Sequence, residues 1–288
     1  MNTLKLVDLH THTTASDGAD SPAALVHKAH AAGLAAIAIT DHDSLDGLEE
    51  ARQAGQECGL KIIDGCELSA RTEYGEIHIL GLWLPPQAAQ LQSRLVELRH
   101  KRAERNERIV AKLCNLGLEL SMDDVYAVGR HSVGRPHIAR AMLNRGLVSS
   151  EREAFEKYLK QGARAWLPKE VMEPQAAVSL MAGLGATVSL AHPFIQGYPE
   201  DWLEKLVQDL IPCGLSAIEA WHSEQNEAQT RICVEWARRY DLGLTGGSDY
   251  HGDIKPGIRL GVGRGGLRVP LDVLERLEAR RHRQGLPC

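Results

Sequence analysis

The stretch Lys5-Leu6-Val7-Asp8-Leu9-His10-Thr11-His12 sets the reading of the whole chain. Its apolar residues form a short strand-like run, and in an extended strand His10 and His12 point the same way. Two imidazoles one residue apart are a natural chelate. Ser16-Asp17-Gly18 follows, and after the next apolar run comes Thr40-Asp41-His42-Asp43. Histidine and carboxylate recurring after successive apolar runs indicate several metal ions rather than one.

Beyond this start, short apolar runs alternate with amphipathic helical stretches. Candidate strands are Lys5–Leu9, Ala35–Ile39, Lys61–Ile63, Ile77–Leu82, Thr187–Ala191, Ser216–Ala220 and Leu242–Thr245. Pro22 after Ser21 reads as a capped helix start. Such alternation indicates an α/β fold, a parallel sheet or barrel with helices outside. Around Glu67–Glu76 the gap is too short for a crossover helix and implies a hairpin or an irregular loop. Between Pro85-Pro86 and Pro168 the strand pattern gives way to helix. A long one runs from about Gln90 to Leu116, ended by Gly117, and Ser121-x-x-Asp124 and Ser150-x-x-Glu153 resemble further helix starts. The expected organisation is a barrel from residues 1–86 and 168–288, interrupted by an all-helical insertion at 87–167.

A chain of 288 residues with 43% hydrophobic content can bury a real core. Lys+Arg 33 against Asp+Glu 38 gives a net charge of −5, which argues against a broad, sequence-independent nucleic-acid coat. A local basic groove remains open. The six cysteines are scattered without a CxxC pair, so neither a disulfide framework nor a thiolate zinc site is expected. Met1–Leu9 lacks a signal-peptide pattern, and no run approaches the roughly 20 apolar residues of a membrane span. The expectation is a cytoplasmic protein without a membrane association or a stable protein partner.

The polar residues that invite a metal reading fall at or just after the candidate strands. His10 and His12 follow the first, Asp41 and His42 the second, and Glu67 the third. His78 lies within the fourth, His192 follows the fifth, and Asp249 and His251 follow the last. In βα barrels the strand C-termini converge on one mouth, where residues distant in sequence meet. Six imidazoles with Asp17, Glu67 and Asp249 are too many donors for one ion but suit two or three if a carboxylate such as Glu67 bridges. Nitrogen and oxygen ligation without thiolate suits Mn, Fe or Zn. A single histidine at a strand end is commonly structural, and Ser-Asp-Gly is an ordinary turn; the whole series resists that reading. His27, His30, His100, His131 and His282 show no partner pattern and are taken as structural.

In this order, HTHTTASDG, TDHDS, GCELS, EIHILGL, LAHP and GGSDYHG resemble the PHP (polymerase and histidinol phosphatase) family. The resemblance implies a distorted seven-stranded βα barrel with a di- or trinuclear metal centre. It would give one metal His10, His12, Glu67 and Asp249, a second Glu67, His78 and His192, and a third Asp17, His42 and His251. All nine positions match the family's ligand types. Clustered divalent ions suit phosphate-ester hydrolysis, because they lower the pKa of water, neutralise phosphoryl oxygens and stabilise the leaving oxygen. Glu67 and Asp17 are therefore expected to be catalytically essential.

A negative substrate needs a positive clamp. Arg135-Pro136-His137 in the insertion is the candidate, since Arg offers phosphate a planar fork and the resemblance places an Arg-x-His-x-Ala-Arg element here. Arg102 and Arg105 interrupt an apolar helical seam of Leu91, Leu95, Leu98, Ile109, Leu113 and Leu116, where charge requires a partner. A phosphate chain would serve, although Glu97–Lys101 and Glu104–Arg108 pairs also fit a solvated face. Trp221-His222 follows the sixth strand, and His222 is a candidate to bind substrate or protonate the leaving group. The insertion resembles that of PHP members acting on 3′,5′-nucleoside bisphosphates or on short 5′-phosphorylated RNA. Those members carry Gly-Arg-Tyr after the His-Pro of the fifth strand. Here Phe194-Ile195-Gln196 stands instead, and Phe194 is expected to stack on a base or narrow the pocket. The alternatives are a cyclic ribose-phosphate phosphodiesterase, a histidinol-phosphate phosphatase and a non-catalytic PHP module of the kind found in DNA polymerases.

Overall fold

A computed structural model describes residues 5–129 and 133–288, so that His131 and the first four residues lie outside it. Seven strands follow one another around a single sheet in chain order: β1 (Val7–Asp8), β2 (Ala36–Ile39), β3 (Lys61–Arg71), β4 (Glu76–Leu82), β5 (Thr187–Leu190), β6 (Ala217–His222) and β7 (Gly243–Gly247). The main helices are α1 (Pro22–Ala31), α2 (Leu48–Cys58), α3 (Ala89–Asn115), α4 (Met122–Tyr126), α5 (Arg135–Asn144), α6 (Glu151–Ala154), α7 (Pro174–Gly183), α8 (Glu200–Leu210), α9 (Glu227–Arg239) and α10 (Leu271–Arg283). Neighbouring strands are parallel except β4, which runs against both β3 and β5. Leu9 N donates to Gly246 O at 3.1 Å and nearly closes the barrel between β7 and β1.

Strand periodicity explains how one short sequence serves two layers. In β2, Ala36 and Ala38 pack with Val7, Leu9 and Ile63, whereas Ile37 and Ile39 pack outward on Leu25, Val26 and Ala29 of α1 and Ala51 of α2. The small alanines suit the crowded side of the strand, and the branched isoleucines fill the gap beneath the helices. Ser21 caps α1 by accepting from Ala24 N at 3.2 Å, and Ser121 forms a full capping box with Asp124.

Three strands run further than periodicity indicated, β7 by two residues to Gly247. β3 continues from Lys61 to Arg71, and its hairpin to β4 closes where Thr72 N donates to Gly75 O at 2.7 Å. Glu67 is therefore in mid-strand rather than after a strand. β6 continues through His222, with a bulge between Glu219 and Trp221. A bulge adds one residue and shifts the in–out alternation by one.

The chain divides into two compact units, one formed by the described residues up to Gln92 with Met172–Cys288, the other by Ser93–Val171. These boundaries fall a few residues further along than the prolines indicated. The second unit is helical, with its own core of Ile109, Leu113, Leu120, Val125, Ile138, Met142 and Leu159. Among the described residues no helix is long and apolar enough to cross a membrane.

Candidate metal centre

The loops at the strand ends are held by buried carboxylates that stay out of the imidazole cluster. Asp41 accepts from Thr13 N (2.8 Å), Thr13 Oγ1 (2.7 Å) and Ser16 Oγ (2.6 Å), which folds the loop carrying Asp17. Gly18 is obligatory in that loop, because a Cβ there would sit 2.4 Å from the His12 carbonyl oxygen. Asp8 accepts from Ser248 N (2.8 Å), Ser248 Oγ (2.6 Å) and Gly261 N (2.7 Å), tying down the segment that carries Asp249 and His251. Burial pushes both Asp8 and Asp41 up from the ordinary carboxylate range. His192 and Asp249 adopt φ of 25° and 56°, conformations that side chains other than glycine seldom hold.

Glu67 organises what these loops present. Its Oε2 lies 3.2 Å from His10 Nε2, 3.2 Å from His12 Nε2 and 3.0 Å from His42 Nδ1. Its Oε1 lies 2.9 Å from His78 Nδ1 and 3.0 Å from His192 Nε2. One fully buried carboxylate thus divides its two oxygens between two sets of imidazoles. Asp249 Oδ1 approaches His12 Nε2 at 3.2 Å, His10 Nε2 at 3.7 Å and His251 Nδ1 at 3.5 Å. Asp17 Oδ1 is 3.3 Å from His251 Nε2, and its Oδ2 is 3.9 Å from His42 Nε2.

Three overlapping groups have the dimensions of cation sites: His10, His12, Glu67 and Asp249; His42, Glu67 and His78; and His12, Asp17, His42 and His251. His192 joins the second through Glu67 and through His78 Nδ1, 3.3 Å away. Donor atoms that share a first-row cation at about 2.1 Å stand roughly 3 Å apart, the spacing found here. The buried atoms His10 Nε2, His12 Nε2, His42 Nδ1, Glu67 Oε2 and His251 Nε2 make no well-formed hydrogen bond among the described residues. Polar atoms left so at the heart of a protein fit a cation. The donor set therefore suits divalent metals.

Charge follows the same pattern. Burial opposes protonation of His12 and His78, but Asp249 and Glu67 lift His12 to about 9, and Glu67 with Glu76 lifts His78 to about 10. Burial pushes His42 down to about 3 and lowers His192. Burial also works against the ionised forms of Glu67 and Asp249, yet the surrounding imidazoles hold both well below the carboxylate range.

Sequence reasoning missed Glu219. It is fully buried, faces His10 Nδ1 at 3.1 Å (Oε1) and 3.3 Å (Oε2), and accepts from His192 N at 2.8 Å. A lone glutamate inside the apolar run Ala217-Ile218-Glu219-Ala220 was the available signal, since a buried charge needs a partner. The β6 bulge lets His222 reach the same cluster: its Nε2 stands 3.6 Å from Asp249 Oδ2, and its Nδ1 accepts from Glu224 N at 3.1 Å.

The remaining candidates have surroundings of their own. Phe194 is half-buried and stacks on Trp236, with ring centroids 5.6 Å apart. In the helical unit Arg135 donates to Leu159 O at 3.2 Å, and His137 Nδ1 accepts from Gly134 N at 3.2 Å. Arg105 is buried and donates through Nε to Leu167 O at 3.0 Å, so a protein carbonyl meets its charge within the seam. Arg102 is half-buried. Lys101 pairs with Glu97 at 2.9 Å as expected, whereas Glu104 faces His100 at 3.3 Å rather than Arg108.

Comparison with known proteins agrees with this geometry. A 5′-3′ exoribonuclease of Haemophilus influenzae is 36% identical over 86% of this chain and 90% of its own length. A phosphoribosyl 1,2-cyclic phosphate 1,2-diphosphodiesterase of Eggerthella lenta is 32% identical over 85% of this chain and 94% of its own. The crystal structure of a proposed metal-dependent phosphoesterase from Bifidobacterium adolescentis superposes with a TM-score of 0.82 at 30% identity, covering 96% of both chains. The PHP domain itself matches residues 8–167, from β1 into the helical unit. This chain belongs to the PHP domain family of metal-dependent phosphoesterases.

Proposed function

We propose that this protein hydrolyses phosphate esters of nucleotides, taking a nucleoside 3′,5′-bisphosphate or a short 5′-phosphorylated RNA, with two or three divalent cations. The sharing of Glu67 between two imidazole sets carries the reading, because a bridging carboxylate is what a multinuclear centre requires. His10, His12, Glu67 and Asp249 would hold one ion, Glu67, His78 and His192 a second, and Asp17, His42 and His251 a third. Bound there, such ions would activate water and neutralise phosphoryl charge. Mn is the first choice, with Fe or Zn as alternatives; the cysteine-free donor groups suit all three.

The chain's own residues supply the rest. His222 Nδ1 accepts a backbone hydrogen bond, which leaves the proton of a neutral ring on Nε2, the atom facing Asp249. From Nε2 the ring donates a hydrogen bond to the leaving oxygen without giving up that proton. The helical unit is assigned as the substrate lid, its Arg135 and His137 gripping a neighbouring phosphate and Arg102 adding positive charge. Arg105 shapes that unit through Leu167. Phe194, steadied by Trp236, is assigned to a nucleobase. All six cysteines are free, which fits a cytoplasmic location.

The test is to mix Mn-loaded protein with a short 5′-phosphorylated RNA and resolve the products by mass. Stepwise release of mononucleotides supports the RNA reading. An intact strand with turnover of 3′,5′-bisphosphate supports the small-substrate form. The Eggerthella lenta relative favours a second reading, in which cyclic ribose phosphate alone is cleaved. Inertness toward all three with Mn, Fe and Zn overturns the proposal.

A further inference from the structure

The two oxygens of Asp249 face different company. Oδ1 lies among His10, His12 and His251, while Oδ2 receives Lys255 Nζ at 2.7 Å and has His222 Nε2 3.6 Å away. Lys255 stands just after the short turn Gly252–Ile254 that follows β7, in the same unit as the imidazole cluster. Its side chain is 39% exposed while that of Asp249 is 7% exposed, so the lysine stem runs from solvent down to the rim of the centre.

Charge makes this placement informative. Two divalent ions would balance the four carboxylates Asp17, Glu67, Asp249 and Glu219, and three would exceed them. A further ammonium beside them is repelled unless an anion shares the space. An ammonium carries three hydrogens, and Asp249 takes one. The others suit an oxyanion resting above Asp249. A phosphoryl group is the anion that the proposed chemistry would bring there.

We propose that Lys255 is an anchor for a phosphoryl oxygen of the substrate, supplied by the barrel itself and independent of Arg135 and His137. The inference rests on the phosphoesterase reading above. It makes Lys255 a substrate-binding residue of the centre, and the class of ligand is a phosphate mono- or diester.

The test compares wild type, Lys255→Met and Lys255→Arg after Mn loading. Metal content is measured by elemental analysis, binding of inorganic phosphate by calorimetry, and kcat and KM on the substrate found active. With wild-type metal content, Lys255→Met should bind phosphate about 10- to 100-fold more weakly, the range of one charged hydrogen bond. KM should rise more than kcat falls, and Lys255→Arg should recover much of the loss. Unchanged phosphate affinity in Lys255→Met overturns the proposal. So does a loss of bound Mn that accounts for all the lost activity, because Lys255 would then only steady Asp249. A wild type that neither binds phosphate nor turns over any phosphoester overturns the phosphoesterase reading itself, an outcome separate from both.

Discussion

Replacing Glu219 by Gln alters no volume but reverses the hydrogen-bond polarity of one oxygen. In the native protein the carboxylate accepts from His192 N at 2.8 Å and faces His10 Nδ1 at 3.1 Å. An acceptor there holds a proton on Nδ1, so Nε2 is the ring nitrogen left for a cation beside Glu67 and Asp249. In Glu219→Gln the amide oxygen keeps the His192 N–H, so the NH2 group must face His10. The His10 proton then moves to Nε2, where it blocks ligation. Loss of such an outer contact typically costs 10–100-fold in metal affinity, or about 1.4–2.7 kcal/mol. Glu219→Ala strands two buried donors at about 1–3 kcal/mol each, and should add roughly 2–6 kcal/mol of lost stability to the same metal defect. Competition with a chelator measures the affinity, and nitrogen-15 spectra of the histidine rings report the His10 tautomer. A Glu219→Gln protein with wild-type Mn affinity and an Nδ1–H tautomer would refute the reasoning.

Four further expectations concern protons, a turn and the insertion. His12 at about 9 and His78 at about 10 are protonated at neutral pH without metal, and ligation must displace those protons. Apparent cation affinity should therefore climb as pH rises from 7 toward 10, and a flat profile by calorimetry would count against it. Because both folded values exceed the ordinary 6.5, the stability these pairs lend the metal-free fold is complete below pH 6.5. It is lost as pH rises through 9 to 10, which urea unfolding of chelator-treated protein at pH 6, 8 and 10 will check. Gly18→Ala places a Cβ 2.4 Å from the His12 carbonyl oxygen, so the loop bearing Asp17 must shift, at about 1–3 kcal/mol. Bound metal should fall by one ion per chain, and full occupancy by elemental analysis would contradict this. Arg135→Ala should weaken turnover about tenfold or more on substrates with a second phosphate and much less on those without. Equal losses on both kinds would remove Arg135 from phosphate binding.

Much of the centre was legible because strand ends announce themselves. An apolar run followed by His-x-His or Asp-Tyr-His carries its own register, and the alternation of strand and helix says where such ends collect. β3 was legible only in part. Gly65, Cys66, Glu67, Leu68, Ser69 and Ala70 are all buried, so both faces of the strand are covered and no polar–apolar alternation marks its length. Glu219 was hidden in an otherwise apolar strand, and the bulge that turns His222 inward is a pairing irregularity invisible in residue order. Lys255 follows the last motif as an ordinary loop lysine; only folding lays it on Asp249. In the insertion, the seam from Leu91 to Leu113 was readable from helical spacing. That Arg105 finds its partner in Leu167 depends on how the later helices fold back.

The reversed direction of β4 has a consequence for how the protein is made. Parallel strands must wait for a helix and a long return before they pair, but β3 and β4 are joined by a tight turn. Glu67 lies opposite Leu80 and His78 opposite Ser69, so the shared carboxylate and one of its imidazoles are diagonal neighbours on one hairpin face. Hairpins form in about 1–10 μs, well before sheets of high contact order close. A two-donor fragment of the centre thus exists early in folding, and as synthesis proceeds it exists before His192, Asp249 and His251 have left the ribosome. The groups that include Asp249 and His251 are therefore complete only once the segment after β7 is made.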